Sequence, residues 1–169
     1  MRVLGIDPGL RLTGFGVVEV RPGQLEPALI EAGVIKLNAK TSVADRLAQL
    51  AEDLTGIIEE ARPDQLAVEE VYSHYAHPKT AIIMAHARGV ILLCARQADL
   101  TIQELAATEV KKALTGNGHA SKEQMQNAVQ AQFRLPEPPS PPDVADAIAI
   151  ATCHARRIAV DALSQSTKR

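Results

Sequence analysis

Residues 3–9, Val-Leu-Gly-Ile-Asp-Pro-Gly, constrain the fold of this chain more than any other stretch. Residues 3–6 predict a short buried strand, and Pro8-Gly9 predicts a turn directly after it. Asp7 falls where the strand runs out. A carboxylate at the end of a central strand, beside a glycine, can meet a metal and a phosphate without side-chain obstruction. The same residues also suit a plain turn in which Asp7 bonds its own backbone, so the other acids of the chain decide between the two.

Strands are predicted over 13–20 and 28–37, joined by short connections that include Arg21-Pro22-Gly23-Gln24. Short connections imply an antiparallel meander. Gly5, Gly9, Gly14 and Gly16 permit close backbone approach on the first two strands. Val43, Leu47, Leu50, Ala51, Leu54, Ile57, Ile58 and Ala61 then recur at helical spacing, with Asp45, Glu52, Asp53, Glu59 and Glu60 on a solvated face. Arg62-Pro63 ends this helix, and residues 66–69 read as a fourth strand finished by Glu69. A strand reached through a crossover helix pairs in parallel, so the sheet is mixed.

Tyr72, His74, Tyr75 and His77 occupy a loop. Residues 79–98 form a helix that is apolar almost all round, which requires cover on more than one side, from the core or from another subunit. A fifth strand covers 100–105. Thr108 and Ser121 are placed to start helices, Ser121 with Gln124 as a capping box. The proline-rich stretch 136–142 is a rigid connector to a last helix from about 143 to 163, and 164–169 reads as a frayed, flexible tail. This is an α/β chain with one domain over 1–163, of a size that buries a substantial core.

With only four aromatic residues, that core is built from Ala, Leu, Ile and Val. No signal peptide precedes the first strand, and no apolar run is long enough to span a bilayer, so a cytoplasmic protein without membrane attachment is expected. Cys94 and Cys153 lie in helical patterns without metal-ligand spacing and read as buried thiols. The net charge of −2 argues against a generally basic nucleic-acid binder. Its distribution differs: residues 1–70 carry 12 acids against 7 Lys and Arg, residues 71–169 carry 8 against 11, and no acid lies between 71 and 98. One basic surface on a weakly acidic protein fits that asymmetry.

Asp143 and Asp146 open the last helix and share a face at three-residue spacing. Ser140 as an N-cap, with Asp143 three positions on, would explain one of them by capping alone. Helical phase places both acids beside the core stripe Val144, Ala147, Ile148, Ala151, Ala155 and Ile158, on a flank continued by Ile150 and Cys153. Ala145, Ala149, Thr152 and Arg156 take the opposite side. Asp7, Glu69, Asp143 and Asp146 are thus the candidate acids. If they converge, two like charges 4 Å apart cost about 4 kcal/mol at an effective dielectric near 20. Such a cluster must be protonated or hold cations, and oxygen donors without His or Cys suit Mg²⁺ or Mn²⁺. Two ions would clamp a scissile phosphate for hydrolysis.

Gly5-Ile-Asp-Pro-Gly9 with Thr13-Gly14, Ala67-Val-Glu-Glu-Val71, Ala87-Arg-Gly89 and Asp143-x-x-Asp146-Ala-Ile-Ala-Ile150 together resemble the RuvC family of bacterial Holliday-junction resolvases, in order and over nearly the whole chain. The resemblance implies a ribonuclease-H-like fold with a five-stranded mixed sheet flanked by helices. It implies a homodimer, built through helix 79–98, that nicks four-way junction DNA in paired fashion with Mg²⁺, two ions per subunit and Mn²⁺ as a substitute. It also implies cooperation with the RuvA–RuvB branch-migration complex. Asp7, Glu69, Asp143 and Asp146 match the metal ligands. Tyr72 matches an aromatic residue, often Phe, that stacks on a junction base. Lys111 and Lys122 match lysines that contact DNA near the scissile phosphate, which makes Lys122 a catalytic candidate. Lys112 and the 116–119 loop are weaker backbone contacts, and the role of Arg88 is left open.

Three other readings share features with this one. Actin and sugar-kinase ATP-binding proteins open with the same strand and glycine pattern but need two such domains. YqgF-type nucleases share the opening motif without the long apolar helix and the Asp143/Asp146 pair. A junction binder that does not cut would gain nothing from acids beside phosphates.

Overall fold

In the computed structural model the chain runs β1 (Arg2–Asp7), β2 (Leu12–Glu19), β3 (Ala28–Lys36), α1 (Val43–Ala61), β4 (Gln65–Glu69), α2 (Pro78–Gln97), β5 (Thr101–Leu105), α3 (Ala107–Thr115), α4 (Lys122–Phe133) and α5 (Pro142–Ser166). The structure describes residues 1–70 and 78–166; Tyr72, His74, Tyr75 and His77 lie outside them. The strands form one sheet in the order β3-β2-β1-β4-β5. β1 pairs antiparallel with β2, β2 antiparallel with β3, and β4 parallel with both β1 and β5. The predicted meander and mixed sheet are both present.

Strand alternation divides the side chains between two layers. Leu4, Ile6, Val17, Leu66 and Val68 pack with α1 and α2 residues such as Leu50, Leu54, Ile91 and Cys94. Val3, Val18 and Ala67 pack on the other face with Val110, Met125, Ala149, Ile150 and Cys153 of α3, α4 and α5. By the same alternation Asp7 and Glu69 project onto the α5 face, at the ends of adjacent parallel strands.

The glycines of β1 and β2 let α5 lie directly on the sheet. A β-carbon on Gly5 would sit 2.3 Å from the Ala147 carbonyl oxygen, and one on Gly14 would sit 2.0 Å from that of Asp143. Small helix residues meet the sheet there, Ala147 and Ala151 among them, both fully buried. The last helix is accordingly buried on every side from Val144 to Ala155, apart from Asp146. On the side opposite the core stripe, Ala145 and Ala149 lie under α3 and α4, and Thr152 is buried with its hydroxyl donating to the Ile148 carbonyl at 2.7 Å.

Further differences are local. Ser140 does not cap α5, which begins at Pro142 after Pro141, whose carbonyl accepts from the Val144 N–H. Thr108 does not start α3; Ala106 precedes its first turn and supplies no side-chain cap. Ser121 and Gln124 do form the predicted capping box. Ser42 and Asp45 form a second one, so Asp45 caps α1 rather than simply facing solvent. α5 continues through Ser164 to Ser166, where a frayed tail was expected. α2 covers the core with one side only, and Ile82 and Leu93 stand 57% and 56% exposed on the other.

Candidate metal centre

Register brings the acids together. Asp7 is the cross-strand partner of Gly14, and Gly14 carries the Asp143 main chain. Ile6 pairs with Val68, which places Glu69 beside the end of β1. Asp146 lies one helical turn beyond Asp143. Thr13, fully buried, ties the turn after Asp7: its hydroxyl donates to the Gly9 carbonyl at 2.5 Å and accepts from the Gly9 N–H at 3.2 Å.

The electrostatics record the convergence. Burial pushes the Asp7 carboxyl up to about 8, with the charges of Asp146, Asp143 and Glu69 adding to the rise and Lys122 opposing it. Glu69 is raised by burial and by Asp146, against Lys111. Asp146 is raised by burial and by Asp143, against Lys122 and Lys111. Four acids predicted from separate parts of the chain therefore share one field, and the two predicted lysines stand within it. Among the described residues, no three carboxylate, imidazole or thiol side chains are already drawn into a metal-holding group. The acids repel one another across a partly dry site without closing a coordination shell. Acids raised in this way titrate as a coupled set.

The donor set is four carboxylates with no thiol or imidazole. Hard oxygen donors of this kind fit Mg²⁺ or Mn²⁺ and do not fit a zinc or copper site. A divalent cation among them would offset both the burial penalty and the repulsion that raise the Asp7 carboxyl.

The sequence did not reveal several neighbours. A cavity of about 380 Å³ adjoins Asp143, lined by Gly9, Leu10, Arg11, Leu12, Arg46, Ile83 and Met84. Arg46 donates to the Leu10 carbonyl at 3.1 Å, which fixes α1 against the turn after Asp7. Single arginines in α1 and in a turn carry no sequence signal of their own. Lys112 accepts the Gly116 N–H at its carbonyl, where Gly116 ends α3 in the left-handed conformation. The following loop is closed by Asn117, whose side chain accepts from the His119 N–H at 3.0 Å. Tyr72 lies outside the described residues.

The family model for crossover junction endodeoxyribonuclease RuvC matches residues 3–154. The crossover junction endodeoxyribonuclease RuvC of Rhodopirellula baltica is 44% identical over 151 residues, covering 89% of this chain and 84% of the relative. That of Brevibacillus brevis is 40% identical over 169 residues, covering 100% of both. The solved structure of T. thermophilus RuvC in complex with Holliday junction substrate superposes with a TM-score of 0.86 at 33% identity, covering 96% of this chain and 97% of that one.

Proposed function

Since the chain belongs to the RuvC family of crossover junction endodeoxyribonucleases, we propose that it resolves four-way DNA junctions by paired, Mg²⁺-dependent hydrolysis at Asp7, Glu69, Asp143 and Asp146. The fold is ribonuclease-H-like, as in the structural relative. RuvC-family enzymes are metal-dependent nucleases. The observation that carries the reading is the gathering of the four acids, Asp7 and Glu69 from adjacent strand ends and Asp143 and Asp146 from the start of α5 seated on Gly14.

Asp7 and Glu69 hold from the strand ends, and Asp143 and Asp146 from the first turns of α5. These oxygens would hold Mg²⁺, at two ions per subunit with Mn²⁺ as a substitute, and the bound ions would supply an activated water and charge neutralisation at the scissile phosphate. Lys122 and Lys111 supply the positive charge that lets a phosphodiester approach four acids. Lys122 lowers both Asp7 and Asp146 and so favours their ionised, metal-binding forms. Tyr72, three residues after the end of β4, stacks on a junction base, and Arg11 and Arg46 line the cavity that adjoins Asp143.

A single site cuts one strand, whereas resolution requires two symmetric cuts. An isologous dimer through the exposed face of α2, carrying Ile82 and Leu93, provides two matched sites. Residues 1–163 act as one nuclease domain, and the RuvA–RuvB complex is the expected partner in branch migration. Among the described residues no helix is long and apolar enough to cross a membrane.

The decisive assay incubates the protein with a synthetic mobile four-way junction, with and without Mg²⁺, beside a linear duplex. Opposed nicks on the junction alone, present only with the metal, are expected. Equal cutting of the duplex, or cutting in EDTA, would sink the reading.

A further inference from the structure

We propose that Arg88 is a positioning residue for Glu69, acting through the main chain from the opposite face of the sheet. The inference deepens the metal-nuclease reading above and rests on it.

Arg88 lies in the middle of α2 and is only 8% exposed, in a helix otherwise almost without polar groups there. A buried guanidinium must find partners for its donors. It finds two. One terminal nitrogen donates to the Glu69 carbonyl oxygen at 2.6 Å, and the other donates to Oε2 of Glu104 at 2.5 Å. Glu104 is on the α2 side of β5, whereas the Glu69 carboxylate projects to the α5 side. Arg88 therefore grips the backbone of Glu69 from behind and does not enter the acid cluster.

Glu69 needs such a hold. It is the last residue of β4, where the sheet stops restraining the chain. The next residue is tied on one side, by the Glu70 N–H donating to the Leu105 carbonyl at 2.8 Å. Arg88 supplies the remaining anchor, on the peptide that bears the carboxylate itself. The Glu69 carboxylate shares its face of the sheet with the like charge of Asp146, and a strand end free to fray would yield to their repulsion. Partners one step removed from a metal ligand commonly govern affinity by about 10- to 100-fold through orientation.

The alternative is that Arg88 and Glu104 form an ion pair that only stabilises the fold. Two variants separate the cases. Arg88→Gln removes both contacts, whereas Glu104→Gln removes the ion pair and leaves the carbonyl contact. The readouts are Mn²⁺ binding to the DNA-free full chain by electron paramagnetic resonance, the Mg²⁺ concentration for half-maximal junction cleavage, and junction affinity in EDTA. Arg88→Gln should weaken Mn²⁺ binding by about 10-fold or more, raise the Mg²⁺ requirement in parallel, and leave junction affinity unchanged. Glu104→Gln should keep the parent's metal affinity. A folded Arg88→Gln protein with the parent's Mn²⁺ affinity overturns the proposal. So does loss of metal affinity in Glu104→Gln as large as in Arg88→Gln.

Should Arg88→Gln fail to fold, the double variant Arg88→Leu/Glu104→Leu carries the same test. Replacing a buried ion pair by apolar side chains is often tolerated, and that variant still lacks the donor to Glu69. Its retention of full Mn²⁺ affinity overturns the proposal equally. The parent chain is the control on the underlying reading: if it neither binds Mn²⁺ nor cuts the junction, the nuclease reading fails and this inference with it. If it does both and the Arg88 variants match it, only this inference fails.

Discussion

Gly14 and Asp143 touch main chain to main chain, so closely that a β-carbon on residue 14 would lie 2.0 Å from the Asp143 carbonyl oxygen. Because Gly14 is also the cross-strand partner of Asp7, this contact sets the spacing between the acid of β1 and the acids of α5.

Gly14→Ala must lift the start of α5 off the sheet, since the obstructing atom is backbone and cannot rotate away. Overpacking of this kind typically costs about 1–3 kcal/mol. Cleavage should fall much further than the loss in folded fraction accounts for. Thermal melts and junction cleavage measured on one preparation check this. A variant with reduced Tm but full turnover of its folded fraction would show that the contact serves stability alone.

Asp7→Asn should lower cleavage by about 100-fold or more, because the neutral amide cannot hold a divalent ion among three acids. Junction binding in EDTA should stay close to that of the parent chain, measured by gel shift. Full cleavage in Mg²⁺ would remove Asp7 from the metal set.

The same residue gives a pH dependence. In the folded metal-free protein Asp7 keeps its proton up to about 8, whereas its ordinary value is 3.8. Between those values the folded state binds more protons than the unfolded one, so stability falls as pH rises through the window. Mg²⁺ should reverse the fall. Asp7→Asn, which has nothing to ionise, should exceed the parent in metal-free stability at alkaline pH by at least about 1 kcal/mol, roughly 2–4 °C in Tm for a domain of this size. At limiting Mg²⁺, cleavage should rise with pH up to about 8, as metal ceases to compete with the Asp7 proton. Melts and cleavage across pH, with EDTA or Mg²⁺, test all three.

Lys122→Ala removes the cation that lowers Asp7 and Asp146. The rising limb of the cleavage profile should move to higher pH, and the log–log salt slope of junction binding should shrink by about one. An unmoved profile with an unchanged slope would make Lys122 a bystander.

Leu93→Glu and Ile82→Glu place charge on the exposed face of α2. Since both positions are more than half exposed, intramolecular stability should change by no more than about 0.5 kcal/mol. Light scattering should show monomers, and the nicks on a junction should become unpaired. Persistent dimers would move the seam elsewhere.

Much of this arrangement is legible in the sequence because its signals are local. Asp7 and Glu69 each close a short apolar run, Asp143 and Asp146 open a helix, and Ser121 with Gln124 announces a cap. What escaped was carried by small residues and by contacts distant in sequence. Ala145 and Ala149 have too little side chain to mark a buried face, and Thr152 reads as polar until its hydroxyl is seen to bond within its own helix. Arg88 looks like an isolated charge on an apolar helix. Its partners, a main-chain oxygen at Glu69 and the Glu104 carboxylate, lie on two strands that only the folded sheet brings beneath it.

The burial of α5 on every side has a consequence for the cell. Half of the acid set rides on a helix that follows all five strands in the chain and reaches its place only when sheet, α3 and α4 have closed around it. A growing chain that has not yet supplied α5 holds Asp7 and Glu69 without Asp143 and Asp146. Loosening of the core around α5 would part Asp143 and Asp146 from Asp7 and Glu69.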